Sequence, residues 1–122
     1  WMNNTVHPTF THIFMPQKFS DQPEVQAALK PYNTQLFRGM LGELQTLVKA
    51  AAAKGQTWLT GEHFSPLDAY TLTLTRWGTI AGITPADHPE LWAFVQKVAA
   101  VPAVARVIER ERLQLDMSKP AA

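Results

Sequence analysis

Few side chains in this chain could do chemistry. There are four histidines, His7, His12, His63 and His88, ten acidic residues and no cysteine. Without cysteine there is no disulfide, no thiolate metal site and no thiol nucleophile within the chain. His7 and His12 stand five residues apart, about 140° around a helix, so their rings cannot easily share a metal ion. His63 and His88 fall in connections between elements, and no metal site is expected. Ser65 and the acids around it invite a hydrolase reading. Ser65, however, lacks the Gly-x-Ser-x-Gly elbow that projects a nucleophilic hydroxyl. The run Ser65-Pro66-Leu67-Asp68 is better explained as a helix start. The Ser oxygen accepts from the amide three residues on, the Asp reaches back to the Ser amide, and Pro66 takes the first helical position. Where a helix start is buried its amides have no water, so such a box removes a desolvation penalty. Ser65 and Asp68 are therefore assigned a structural capping role.

The helix itself has to be argued, because Thr71 to Thr75 alternates Thr and Leu with the period of a strand. A cap contributes about 1–2 kcal/mol, and three threonines at up to ~0.7 kcal/mol each could cancel it. Leu67, Tyr70, Leu74 and Trp77 fall on one helical face, and each contributes about 2 kcal/mol when buried. Burial of that stripe decides for a helix.

The elements that must position these residues are also helical. Val6, Phe10 and Phe14 recur every four residues, with Pro8 inside the pattern predicting a kink near His7. Asp21 and Pro23 open a second helix. Its apolar stripe is read as Val25, Leu29, Tyr32, Leu36, Met40, Leu44, Leu47 and Val48, bent by Pro31 and stopped by Gly55. Thr57 to Phe64 is a turn-rich connection. Asp87 to Val101 repeats the helical rhythm through Leu91, Phe94, Val95 and Val98, and Pro102 starts a last helix with Val104, Val107 and Ile108. The expected fold class is all-α, a bundle of about five helices over residues 1–115, followed by a polar tail, residues 116–122, that frays.

Composition sets the outer bounds. Of the 122 residues 46% are apolar and 17% charged, which marks a folded globular chain. The formal net charge is +1, and Arg106, Arg110 and Arg112 alternate with Glu109 and Glu111. That is a solvated helix face, without the basic stripe of a nucleic-acid binder. No apolar run approaches the ~20 residues of a membrane span, so no membrane partner is expected and a cytoplasmic protein is. The chain opens at Trp1 with residues that read as helix interior, which predicts a segment before it.

Three stretches resemble one family. Trp58 to Trp77, "WLTGEHFSPLDAYTLTLTRW", resembles the central signature of the all-α C-terminal domain of glutathione S-transferases, whose core helix opens on a Gly-x-x-(aromatic)-Ser/Thr-x-x-Asp box. "HPELWAFVQKVAAVPAVARVIE" is similar to the helix pair that follows. "HPTFTHIFMP", His7 to Pro16, is similar to the end of the first helix in bacterial, beta-like members. The resemblance implies an N-terminal thioredoxin-like domain, absent from this sequence, that holds most of the glutathione site. It also implies glutathione as co-substrate, no cofactor on this chain, a small hydrophobic electrophile, and a homodimer. His7 matches the position near the glutathione sulfur, a proton partner or polar neighbour of the thiolate and thus the one catalytic candidate. Pro8 stands where beta-like members often carry Lys. Phe10, Phe14, Trp77 and Ala81 match positions lining the co-substrate cavity, with plain core packing as the alternative for the aromatics. The implied function is a co-substrate-binding domain that is inactive alone. The alternative is a stand-alone, non-catalytic interaction module of the same fold.

Overall fold

A computed structural model describes residues 1–120 and contains five α-helices and no strand among them. They are α1 (His7–Phe14), α2 (Pro23–Ala53), α3 (Pro66–Ile80), α4 (Pro89–Ala99) and α5 (Pro102–Arg110). The chain is all-α. It divides into two compact units, one ending at Met40 and the other beginning at Leu41.

In the first unit a π-helical stretch, Met2–Val6, runs directly into α1. The change of winding falls just before Pro8, whose ring nitrogen has no hydrogen to give to the preceding turn. Thr9 and Thr11 return their hydroxyls to the carbonyls of Thr5 and His7 at 2.8 and 3.4 Å. Val6, Phe10, Ile13 and Phe37 are buried. The rings of Phe10 and Phe37 lie 5.6 Å apart, so α1 packs on the first part of α2. The turn after α1 is held by His12, whose ring stacks on Phe19 at 3.9 Å while Nδ1 donates to the Pro8 carbonyl at 2.8 Å.

The stripe read from the sequence of α2 holds at Leu44 and Val48 and is corrected elsewhere. The buried positions are Asn33, Phe37, Leu41, Leu44, Val48 and Ala51, whereas Val25, Tyr32, Leu36 and Leu47 are exposed. Two apolar columns run side by side along this helix, at 36, 40, 47 and at 37, 41, 48, and spacing alone does not say which faces inward. Pro31 lies inside the helix without breaking it.

In the second unit α3 packs against α4, and α4 against α5. On α3 the buried residues are Asp68, Thr71, Leu72, Leu74, Thr75, Gly78 and Thr79. Leu67, assigned above to the buried stripe, is 43% exposed. The inward column is largely threonine, which is tolerable because each hydroxyl finds a carbonyl one turn back. Thr71 donates to Leu67 O at 2.8 Å and Thr75 to Thr71 O at 2.7 Å. These residues had suggested a strand, and inside the helix they are self-satisfied. At the end of α3, Gly82 takes φ +82° and the Ile83 amide closes back on Gly78 O at 2.9 Å, burying Ile83.

Helix α4 buries Leu91, Phe94, Val95 and Val98 in the register read from the sequence. Its first residues are capped from outside the helix. Gln45 on α2 places Oε1 3.1 Å from the Glu90 amide and 3.2 Å from the Leu91 amide. Helix α5 is strongly two-sided but has no fully buried residue. Among the described residues no single helix is long and apolar enough to cross a membrane.

Candidate functional site

The carboxylate of Asp68 is a buried polar group with three hydrogen-bond donors. Ser65 and Asp68 form both arms of a capping box at the start of α3. Oδ2 accepts the Ser65 amide at 2.8 Å and the Ser65 hydroxyl at 2.9 Å. Oδ1 accepts a third donor, the Leu59 amide, at 3.0 Å. Asp68 is 0% exposed, so a single buried carboxylate ties both the helix start and the loop before it. The loop is further fixed by Trp58. Its indole meets Phe64 and Phe94 edge-on at 5.1 and 6.2 Å and lies 4.6 Å beneath the Lys97 ammonium, which also donates to Thr57 O. Nothing in this arrangement activates the Ser65 hydroxyl, which is spent as a donor to Asp68.

In the first unit, His7 is the first residue of α1 and half-buried. Phe10 and Phe14 lie one turn apart with rings stacked at 5.7 Å. Phe10 is 6% exposed and Phe14 61%. One aromatic column therefore starts in the core and ends at the surface. An apolar surface of this kind suits flat, apolar molecules.

In the second unit, Trp77 and Ala81 stand at the C-terminal end of α3, both half-buried. The Ala81 amide donates to the Trp77 carbonyl at 3.1 Å. Flanking Trp77 are two polar residues that local sequence does not single out. Arg76 Nε donates to Gln114 O at 2.8 Å, and Thr79 Oγ1 accepts the Met117 amide at 2.9 Å. Their partners lie 38 residues away along the chain, so no local pattern announces them.

The polar tail expected from Asp116 to Ala122 is described as far as Pro120, and Ala121 and Ala122 lie outside the described residues. Asp116 has a side chain only 12% exposed and lies 3.6 Å from the Lys119 ammonium. The Ser118 hydroxyl and amide, with help from Lys119, hold its carboxyl below the usual carboxylate range against the opposing effect of burial. Burial pushes the Tyr70 phenol up. No group of three His, Asp or Glu side chains among the described residues is placed to hold a metal ion.

The all-α fold agrees with what comparison finds. The model of the glutathione S-transferase C-terminal domain matches residues 2–102. A curated relative, glutathione S-transferase GstA of Escherichia coli O157:H7, is 27% identical over 118 residues. The alignment covers 93% of this chain and 52% of that protein, so the chain spans about half the length of the curated relative it matches. No solved structure matches the chain. With a family model covering most of its length and an all-α fold to go with it, the chain belongs to the glutathione S-transferase C-terminal domain family.

Proposed function

We propose that this chain is the co-substrate-binding helical domain of a glutathione S-transferase-like protein, working with an N-terminal thioredoxin-like domain. The observation that carries the reading is the alignment: nearly all of this chain matches, and only half of a transferase. In that reading the missing half supplies the glutathione site. His7 is the polar neighbour of the glutathione thiolate, while Phe10, Phe14, Trp77 and Ala81 offer apolar surface to a small electrophile. The whole protein joins the glutathione sulfur to the electrophile or exchanges thiols. This chain alone is inactive, because positioning two reactants needs both walls of a cleft. A homodimer belongs to the same reading, supported by Tyr32 and Leu36, which stand one turn apart on α2 and are 67% and 41% exposed.

The test is the intact mass of the freshly expressed gene product beside this chain's 13.6 kDa, followed by a conjugation assay on both. A product larger by a domain that conjugates glutathione to a chloronitrobenzene, where the 122-residue chain does not, supports the reading. A product already of this size removes the enzyme. The second reading, a non-catalytic interaction module, then takes over, and the exposed side chains of α2 give it a surface.

A further inference from the structure

The middle of α2 packs on one side and is weak on the other. At about 100° per residue, Phe37, Leu41, Leu44 and Val48 fall on one side of the helix, and all four are buried. Gly39 and Thr46 fall on the opposite, exposed side, with Gly42 beside them. Two glycines three apart inside a 31-residue helix are costly. Each shifts the local balance about fivefold toward opening, relative to alanine. Packing does not call for them. A methyl group on Gly39 meets nothing within 4 Å, and one on Gly42 meets His88 Cε1 at an ordinary 3.7 Å. Neither glycine has a positive φ. Thr46 adds a second weakness. Its Oγ1 donates to Gly42 O at 3.1 Å, the carbonyl that its own amide uses in the helix. Such back-bonding loosens and bends helices.

The same segment is where α2 passes from the first compact unit to the second, between Met40 and Leu41. When a helix curves around its core, the backbone hydrogen bonds on the exposed side lengthen. Glycine and a doubly used carbonyl make those bonds the easiest to lengthen here. We propose that residues 39–46 are a hinge in α2. The helix bends there on its exposed side, with Leu41 and Leu44 as the buried pivot, so that the turn carrying Phe37 and the turn carrying Val48 do not move as one rod. Such a hinge works the same way whether the chain is half of a transferase or a module on its own.

The test is hydrogen exchange on the full 122-residue chain, read as protection relative to the intrinsic rate of each amide. The amide at position 43 reports the bond to Gly39, and that at position 46 the bond to Gly42. In the wild type both are less protected than Gln35 and Leu36, which are also exposed. Gly39→Ala and Gly42→Ala each raise protection at positions 43 and 46 about fivefold and leave Gln35 and Leu36 unchanged. Thr46→Val, which removes the hydroxyl and keeps the branch, acts in the same direction. A rise of equal size at all four amides means that the glycines act on overall stability alone, and overturns the hinge. Bending is read separately. The chain has no cysteine of its own, so Gln35→Cys and Ala50→Cys carry one spin label each, on exposed positions either side of the hinge. The distance distribution between the labels narrows when Gly39→Ala and Gly42→Ala are combined. An unchanged width overturns the hinge. If sedimentation of Gly39→Ala then shows altered self-association, the glycine serves the close approach of a second copy beside the exposed Tyr32 and Leu36 instead.

Discussion

The carboxylate of Asp68 reaches nine residues back to hold the amide of Leu59 at 3.0 Å, with its other oxygen on the amide and hydroxyl of Ser65. A helix cap acts on its own helix. This one also closes the loop that delivers the chain to the helix, and it does so fully buried. Asp68→Ala takes the acceptor from three donors on the half-buried residues Leu59 and Ser65, where water replaces part of what is lost. With a lost cap at about 1–2 kcal/mol and the tie to the loop at about 1 kcal/mol, the expected loss is about 2–3 kcal/mol, large against the usual 5–15 kcal/mol of a domain. Asp68→Asn keeps one acceptor and falls between. Urea midpoints of the two variants and the wild type check this, and a midpoint for Asp68→Ala equal to the wild type refutes it.

Gln45 does for α4 what Asp68 does for α3, but from a different helix. His88, at the N-cap position, makes no side-chain capping bond, and Oε1 of Gln45 takes the amides of Glu90 and Leu91 instead. Gln45→Ala is expected to cost about 1 kcal/mol, the usual size of a lost cap. It should also speed hydrogen exchange at Glu90 and Leu91 ahead of the rest of α4. Uniform exchange along α4 in the variant means that the bond to Gln45 carries no capping energy.

Much of this fold is legible from spacing, and the places where it is not share a cause. On α4 a single apolar column leaves no choice of face, and Leu91, Phe94, Val95 and Val98 are the buried set. On α2 two adjacent columns compete, and the larger Phe37 with Leu41 goes inside while Tyr32 and Leu36 stay out. On α3 the inward column is written in threonine, which a hydrophobic pattern scores as polar. Only the hydroxyl bonds of Thr71 and Thr75 to the preceding turn make its burial intelligible. Around the candidate site the limit is different in kind. Phe10 and Phe14 share a face by sequence, yet one is buried and the other exposed, because α1 ends at Phe14. The contacts of Asp68 with Leu59 and of Arg76 and Thr79 with the tail join residues that nothing local pairs.

Three helix ends use the left-handed backbone, Gly55 after α2 and Gly82 after α3 with the residue suited to it and Arg112 after α5 without. Gly82 at φ +82° lets Ile83 turn inward at the end of α3, and Arg112 at φ +50° turns the chain after α5. A side chain in this region costs about 1–2 kcal/mol. Gly82→Ala is therefore expected to destabilise by about that amount, although nothing lies within 4 Å of the added methyl group. Arg112→Gly should lose nothing and gain up to ~1 kcal/mol, part of the relief being offset by the freer unfolded chain. Thermal midpoints of the two variants decide, and the idea fails if Gly82→Ala melts with the wild type.

Asp116 gives the fold a pH dependence whose sign follows from its partners. The Ser118 hydroxyl is the main influence that holds its carboxyl below the usual range, with the Ser118 amide and Lys119 adding to it. A group whose pKa is lower in the folded than in the unfolded chain contributes stability above its unfolded value, about 3.9 for Asp. That contribution is lost as pH falls through the folded value. Wild type and Asp116→Asn should therefore differ most in urea midpoint near neutral pH, and the gap should narrow as the pH drops from about 5 toward 2. Ser118→Ala, which removes the strongest of these bonds, should shrink the gap at neutral pH without abolishing it, since the amide and Lys119 remain. Because Met117 is tied to Thr79 between these residues, the protection of its amide, relative to the intrinsic exchange rate at each pH, should fall over the same acid interval in the wild type and stay flat in Asp116→Asn. A gap that is constant from neutral to acid pH would mean that the carboxylate contributes through shape alone.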